Sequence, residues 1–224
     1  MKTSKLTLMA MALLFTCLAK ADSTNFTTGT LSVNTLIPDG NPVGISRTVS
    51  VPVLPGTVAN VSVNLDITGG FNGDLYAYLA GPTGQFAVLL NRVGVTAGNS
   101  FGYGDAGFSI TLDQSGVNIH GYEGTLNPLG GQLTGTWGPD GRAISPGSPA
   151  ANFDSASTAA NLGLFNNVDP SGTWTLFLAD MSDGGQSTLV SWGLTIVTVP
   201  EPQTWAMLAG GVGMLFVLRR RTAR

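Results

Sequence analysis

Cysteine occurs once in the 224 residues, at Cys17, and histidine once, at His120. One histidine cannot build a histidine-cluster metal centre, which removes zinc catalysis, and one cysteine cannot found a disulfide framework. Lysine is missing between residues 22 and 199, where the basic side chains are Arg47, Arg92 and Arg142, set against eleven aspartates and Glu123. Three positive against twelve negative leaves that stretch at −9, although the whole chain carries only −3. An acidic, lysine-free body excludes nucleic acid and anionic membranes as partners, but its carboxylate oxygens suit a hard divalent cation such as calcium. Because Glu123 is the lone glutamate there, a glycosidase-type carboxylate pair would have to enlist an aspartate.

Long apolar runs are confined to the two ends. Lys2 and Lys5 precede an apolar stretch from Leu6 to Leu18, and Ala19-Lys20-Ala21 follows with small-x-small spacing. This pattern is that of a signal peptide over residues 1–21, and cleavage after Ala21 would take Cys17 with it. At the other end, Thr204–Leu218 is an uncharged run of 15 residues. As a helix it would extend about 22 Å, short of the roughly 30 Å hydrocarbon core. Arg219, Arg220, Arg221 and Arg224 come next, a cluster that places this end on the cytoplasmic side. Read alone, 204–218 is a short transmembrane anchor. Just upstream stands Pro200-Glu201-Pro202, whose prolines stop a helix from continuing toward the body.

The order Pro-Glu-Pro, short glycine-bearing apolar helix, arginine cluster, chain end resembles the PEP-CTERM sorting signal of exopolysaccharide-producing Gram-negative bacteria, over residues 199–224. The resemblance implies recognition by an exosortase, an integral-membrane transpeptidase. It also implies an inner-membrane-anchored precursor, processing near Pro200-Glu201-Pro202, and export to the cell surface or exopolysaccharide matrix.

Between the ends the periodicity is that of strands. Val61, Val63, Leu65 and Ile67 alternate with polar residues, and Leu75, Ala77 and Leu79 alternate with Tyr76 and Tyr78. Phe86, Val88 and Leu90 return after a Gly81-Pro82-Thr83-Gly84 turn. Phe108, Ile110 and Leu112, then Trp174, Leu176 and Leu178, then Val190, Trp192, Leu194 and Ile196 continue the pattern. A weak helical run covers 156–162, and the glycine- and proline-rich stretch 121–151 reads as loops. Short strands between such turns indicate an all-β, antiparallel β-sandwich.

Two segments together resemble the P domain (P/Homo B) of subtilisin-like proprotein convertases. The first, Val61–Leu90, carries Gly73-Asp74-Leu75 entering a strand and then the Gly-Pro-x-Gly turn. The second, Gly172–Ile196, carries Gly-x-Trp-x-Leu, Asp180 closing the strand, a glycine loop and a final Trp-x-Leu strand. The resemblance spans residues 46–198, after a lead-in at 22–45, and implies a jelly-roll fold. Thr68-Gly69-Gly70-Phe71 stands where many relatives have a histidine. Nor does the chain have room for the protease that such domains usually follow.

Three site readings arise from the residues. Gly98-Asn99-Ser100-Phe101-Gly102 matches G-x-S-x-G, with Asp105 or Asp113 and then His120 downstream in hydrolase order, but the glycine-rich sequence after Ser100 opposes the helix that a nucleophile elbow needs. Asp74, Asp180 and Asp183, each beside a glycine loop, would converge on calcium if the sandwich joins their segments; the simpler reading has them binding turn amides. Tyr76, Tyr78 and Tyr103 offer rings for stacking on sugars, or else that face packs inside the sandwich. The sequence therefore predicts a non-catalytic exported protein, structural or adhesive. A calcium-dependent binder of polysaccharide or surface proteins is the alternative, and a serine hydrolase the third reading.

Overall fold

The computed structural model describes residues 23–124 and 130–199, together with Gly211 and Arg219. The signal-peptide assignment, Pro200, Glu201, Pro202, Arg220, Arg221 and nearly all of 204–218 lie outside the described residues. Among the described residues no helix is long and apolar enough to cross a membrane.

Thr24–Val199 forms one compact unit of two sheets. Its strands are β1 (Thr24–Thr27), β2 (Leu31–Ile37), β3 (Ile45–Val51), β4 (Thr57–Gly69), β5 (Leu75–Ala80), β6 (Phe86–Asn91), β7 (Gly107–Asp113), β8 (Leu133–Trp137), β9 (Gly172–Asp180) and β10 (Ser187–Val199). The larger sheet runs β1-β10-β4-β7-β8, with β2 also on β10, and the smaller runs β3-β9-β5-β6. The segment 22–45, expected as a lead-in, thus contributes β1 and β2, both paired with β10.

Alternation explains how the sheets meet. Side chains on a strand point to opposite faces with period two, so Val61, Val63, Leu65 and Ile67 of β4 turn one way and are buried. Leu75, Ala77 and Leu79 of β5 and Trp174, Leu176 and Leu178 of β9 supply the opposing layer of the same core. Each fully buried leucine or isoleucine contributes about 1.5–3 kcal/mol relative to exposure. The buried Trp174 indole donates to Pro170 O at 2.8 Å and packs edge-on against Phe165, so its one polar atom is satisfied.

The alternation slips in two places. A bulge between Leu189 and Ser191 shifts the register of β10, so Leu189 enters the core with Trp192, Leu194 and Ile196 while the expected Val190 does not. An extra residue in one strand reverses facing beyond it. In β6, Phe86 is 45% exposed, whereas Ala87, Leu89 and Leu90 are in the core; here the register shifts opposite Ala77 and Tyr78.

Three expectations are corrected by longer-range structure. The stretch read as loops, 121–151, contains β8, which pairs with β7 in parallel, not antiparallel; its long connection from β7 permits a same-direction return. The helical run expected at 156–162 is absent, and the short helix α1 lies at Ala151–Ser155. The chain after β8 closes over the free edge of β6 through Val88 N–H to Ala160 O (2.8 Å), Gly141 N–H to Val88 O (2.9 Å) and Asp140 N–H to Leu89 O (3.0 Å). An otherwise open strand edge is thereby paired.

Candidate functional site

The hydrolase residues do not assemble. His120 is buried, with Nδ1 2.6 Å from Asp140 Oδ2 and Nε2 2.9 Å from Val95 O, so both ring nitrogens are engaged and Ser100 is not among their partners. Asp140 is fully buried and also accepts from Arg142 Nη1 at 3.1 Å. The two candidate orienting acids have other partners: Asp105 accepts from Tyr122 Oη and Gly130 N–H, and Asp113 accepts from Asn60 and Ser115. A serine hydrolase needs its histidine on the nucleophile. Here the histidine is instead part of a buried network that ties 139–142 to the loop before β7.

The calcium residues do come near one another, at one end of the smaller sheet. Asp74 closes the short helical turn Asn72–Asp74, and its carbonyl accepts from Met181 N–H at 2.8 Å. The next residue, Leu75, pairs with Asp180 at the end of β9. Burial raises the Asp74 carboxyl above its ordinary range, the Ser182 hydroxyl and the Arg92 charge draw it back, and the Asp39 charge pushes it up again. Burial, with the Asp74 and Asp39 charges adding to it, pushes Asp180 up to about 6, against the Ser182 and Gly40 N–H groups. Asp180 Oδ1 accepts from Ser182 N–H at 3.2 Å, but Oδ2 is buried with no hydrogen-bond partner. Asp183 does not complete a ligand set. Its carboxyl lies against Gly40, whose φ of +58° and lack of Cβ allow the approach. Among the described residues no group of three acidic, histidine or cysteine side chains is disposed to hold a metal ion.

The tyrosines divide. Tyr76 and Tyr78 stand half-buried on the side of β5 opposite the core, with centroids 6.0 Å apart. Burial, then the neighbouring Tyr78, raises the Tyr76 hydroxyl above its ordinary value. Phe177 of β9 stacks on Tyr78 at 4.8 Å and 17°, and Phe86 meets Tyr78 edge-on at 5.7 Å. Tyr103 does not join them: it packs at 4.5 Å on Tyr122, beside Gly94, where any Cβ would collide with its ring.

No protein-family model matches the chain, and no curated protein does. The solved structures similar to it include two from one organism. One is the crystal structure of the serine protease of Aeromonas sobria, at 16% identity over 78% of this chain, TM-score 0.42. The other is the complex of that organism's serine protease with the chaperone ORF2, at 17% identity over 79% of this chain, TM-score 0.43. The chain spans 27% of the length of the matched chain in each.

Several residues that matter at these sites carry little signal in the sequence. Asp39, whose carboxylate accepts from Gly184 and Gly185 N–H, was legible only as turn chemistry in Pro38-Asp39-Gly40. Phe177 was signalled by the alternation of Trp174, Leu176 and Leu178, which puts it on the tyrosine face. Asn72 had no signal: it is buried, accepts from Gly107 N–H at 2.8 Å, and donates to Gly107 O and Tyr122 Oη, clamping the entrance of β5 to that of β7. A surface hollow on the larger sheet, lined by Asn64, Asp66, Ser109, Thr111 and Thr136, includes none of the residues expected from the sequence.

Proposed function

We propose that the chain is an exported, non-catalytic protein of jelly-roll type, delivered to the cell surface or exopolysaccharide matrix by exosortase processing of its C-terminal segment, where the β-sandwich has a structural or adhesive role. The observation that carries this reading is the ordered tripartite pattern in 199–224, behind an N-terminal segment with signal-peptide character. Supporting it, the side chains with catalytic potential in the body, His120 and its neighbouring acids, are engaged with one another and with backbone groups. Mass spectrometry of the mature C-terminus, in cells with and without the sorting enzyme, tests the proposal. A terminus near Pro200-Glu201-Pro202 in the first and Arg224 in the second is expected. Arg224 retained in both overturns it and restores a plain membrane anchor.

A second reading, calcium dependence, is favoured by the unpartnered Oδ2 of Asp180. A hard cation held there by Asp180 and Asp74 would neutralise carboxylate charge that now raises Asp180. Calcium at millimolar concentration should then raise the melting temperature of the wild type and not of Asp180→Asn. No shift in the wild type ends this reading.

A further inference from the structure

The outward side of the smaller sheet has a composition unlike the rest of the body. In a stretch at −9 overall, this side carries no charged residue. β3 presents Ser46, Thr48 and Ser50, β9 presents Thr173, Thr175 and Phe177, and β5 presents Tyr76 and Tyr78. Arg47, the one charged residue of β3, pairs with Leu176 on the other side and donates to Thr35 Oγ1 at 2.6 Å.

Register shows which ring surface is open. Phe177 lies opposite Tyr78 on one flank and Ser46 on the other. Tyr78 covers one face of the Phe177 ring by parallel stacking. Toward β3, the residue opposite Phe177 is Ser46, small and exposed. β3 is the edge strand of its sheet, pairing with β9 alone, and its outward hydroxyls make no side-chain hydrogen bond among the described residues. At the far edge the situation is reversed: Val88, on the same outward side, is fully buried where the chain after β8 closes over β6. The aromatic group is also braced, because Tyr76 meets Phe177 edge-on at 6.3 Å and Phe86 supports Tyr78. Little side-chain freedom is then left to lose on binding.

We propose that this face binds an uncharged polysaccharide, with the open face of Phe177 stacking on a sugar ring and the hydroxyls of Ser46 and Thr48 hydrogen-bonding to that sugar. The inference rests on the adhesive reading above and names its ligand class. A pyranose has an apolar C–H face that suits an aromatic wall and rim hydroxyls that suit Ser and Thr, which both donate and accept. A few polar groups placed beside aromatic surface is the general form of such sites. An anionic polymer would meet the acidic body with no cation on this face to receive it. A protein partner of ordinary affinity would require about 800 Å² on each side, more than one open ring and a row of hydroxyls supply.

The test uses the full chain, purified in a detergent without a sugar headgroup and with chelator present, in native gels carrying hydroxyethylcellulose, galactomannan or alginate. Retardation by at least one neutral polymer is expected, weakened roughly five- to tenfold in Phe177→Ala, as for loss of one aromatic contact. Ser46→Lys, which fills the open side of the ring from an exposed position, should weaken binding equally while leaving the melting temperature unchanged. Retardation by alginate alone, no retardation, or retardation unchanged in both variants overturns the proposal. So does a concentration-dependent dimer abolished by Ser46→Lys, which would make the β3 edge a contact with a second copy. None of these outcomes depends on C-terminal processing, so the sorting proposal and this one fail separately.

Discussion

Replacing Asp180 by asparagine should stabilise the protein, most of all at neutral to alkaline pH. The carboxyl of Asp180 is fully buried, carries an oxygen without a partner, and has its pKa pushed up to about 6 from 3.8, first by burial and then by the Asp74 and Asp39 charges. An acid whose pKa is higher folded than unfolded is better tolerated protonated. Its full contribution is present below about pH 4 and is lost as pH rises through about 6. About two units at 1.36 kcal/mol each set a ceiling near 3 kcal/mol for the cost of ionised Asp180 at pH 8. Asparagine is never charged. It keeps an oxygen for Ser182 N–H and turns a donor, instead of a second acceptor, toward a region rich in carboxylate.

At roughly 2–4 °C per kcal/mol for a domain of this size, the variant should melt about 5–10 °C above the wild type at pH 8. At pH 4.5 the unfolded carboxyl is already mostly ionised and the folded one is not, so about 1 kcal/mol, or about 2–4 °C, should remain. The assay is thermal unfolding followed by circular dichroism at pH 4.5, 6 and 8, in EDTA so that no divalent cation contributes. A variant less stable than the wild type at pH 8 would refute the reasoning. So would a gain of equal size at pH 4.5 and pH 8, because it would then come from packing and not from charge.

Asn72→Ala removes both halves of the clamp on Gly107 and should cost about 2–3 kcal/mol in urea unfolding, since buried donors and acceptors are left without partners. Gly107→Ala should cost at least about 2 kcal/mol by the same measurement, because φ is +98° and a Cβ would collide with Ile67 O, adding backbone strain to overlap. His120→Ala strands Asp140 with Arg142 alone and should destabilise by about 3 kcal/mol. Ser100→Ala should change stability by less than about 0.5 kcal/mol, and any hydrolytic activity that it removed would revive the hydrolase reading.

The body's sandwich was legible because its strands bury one side. Val61 through Ile67, Leu75 through Leu79 and Trp174 through Leu178 announce their inward faces by a period of two, and the structure keeps each. What escaped detection depended on partners distant in sequence. Leu133–Trp137 has two glycine-flanked threonines and no alternation of its own; it is a strand because β7 offers an edge in parallel register. The bulge in β10 leaves no mark in the apolar pattern, so Val190 and Leu189 exchange roles unseen. Of the site residues, Tyr76 and Tyr78 were legible as one face. Tyr103 was separated from them by the close approach of Gly94, which spacing alone does not encode. Asp140, 20 residues beyond His120, was invisible as its partner until the chain returned over β6.

The acidic composition takes on a different meaning once its partners are known. Twelve acids and no lysine suggest a surface that gathers cations, yet many of the aspartates are occupied with backbone amides. Asp154 accepts from Ala97 N–H, Asp39 from Gly184 N–H and Asp105 from Gly130 N–H, each joining segments distant in sequence, whereas Asp113 accepts from Ser115 N–H and Asp169 from Ser171 N–H, two residues on. A carboxylate two residues before an amide fixes a tight turn without help from a positive side chain, and a fold of ten strands in the described residues needs many such turns. Charge is thereby consumed at the strand ends, while the broad side of the smaller sheet is left to hydroxyls and rings. Asp180 departs from this rule, because turn chemistry satisfies one of its oxygens and leaves the other buried. That asymmetry makes it the position where a cation, a proton or an amide should each be felt.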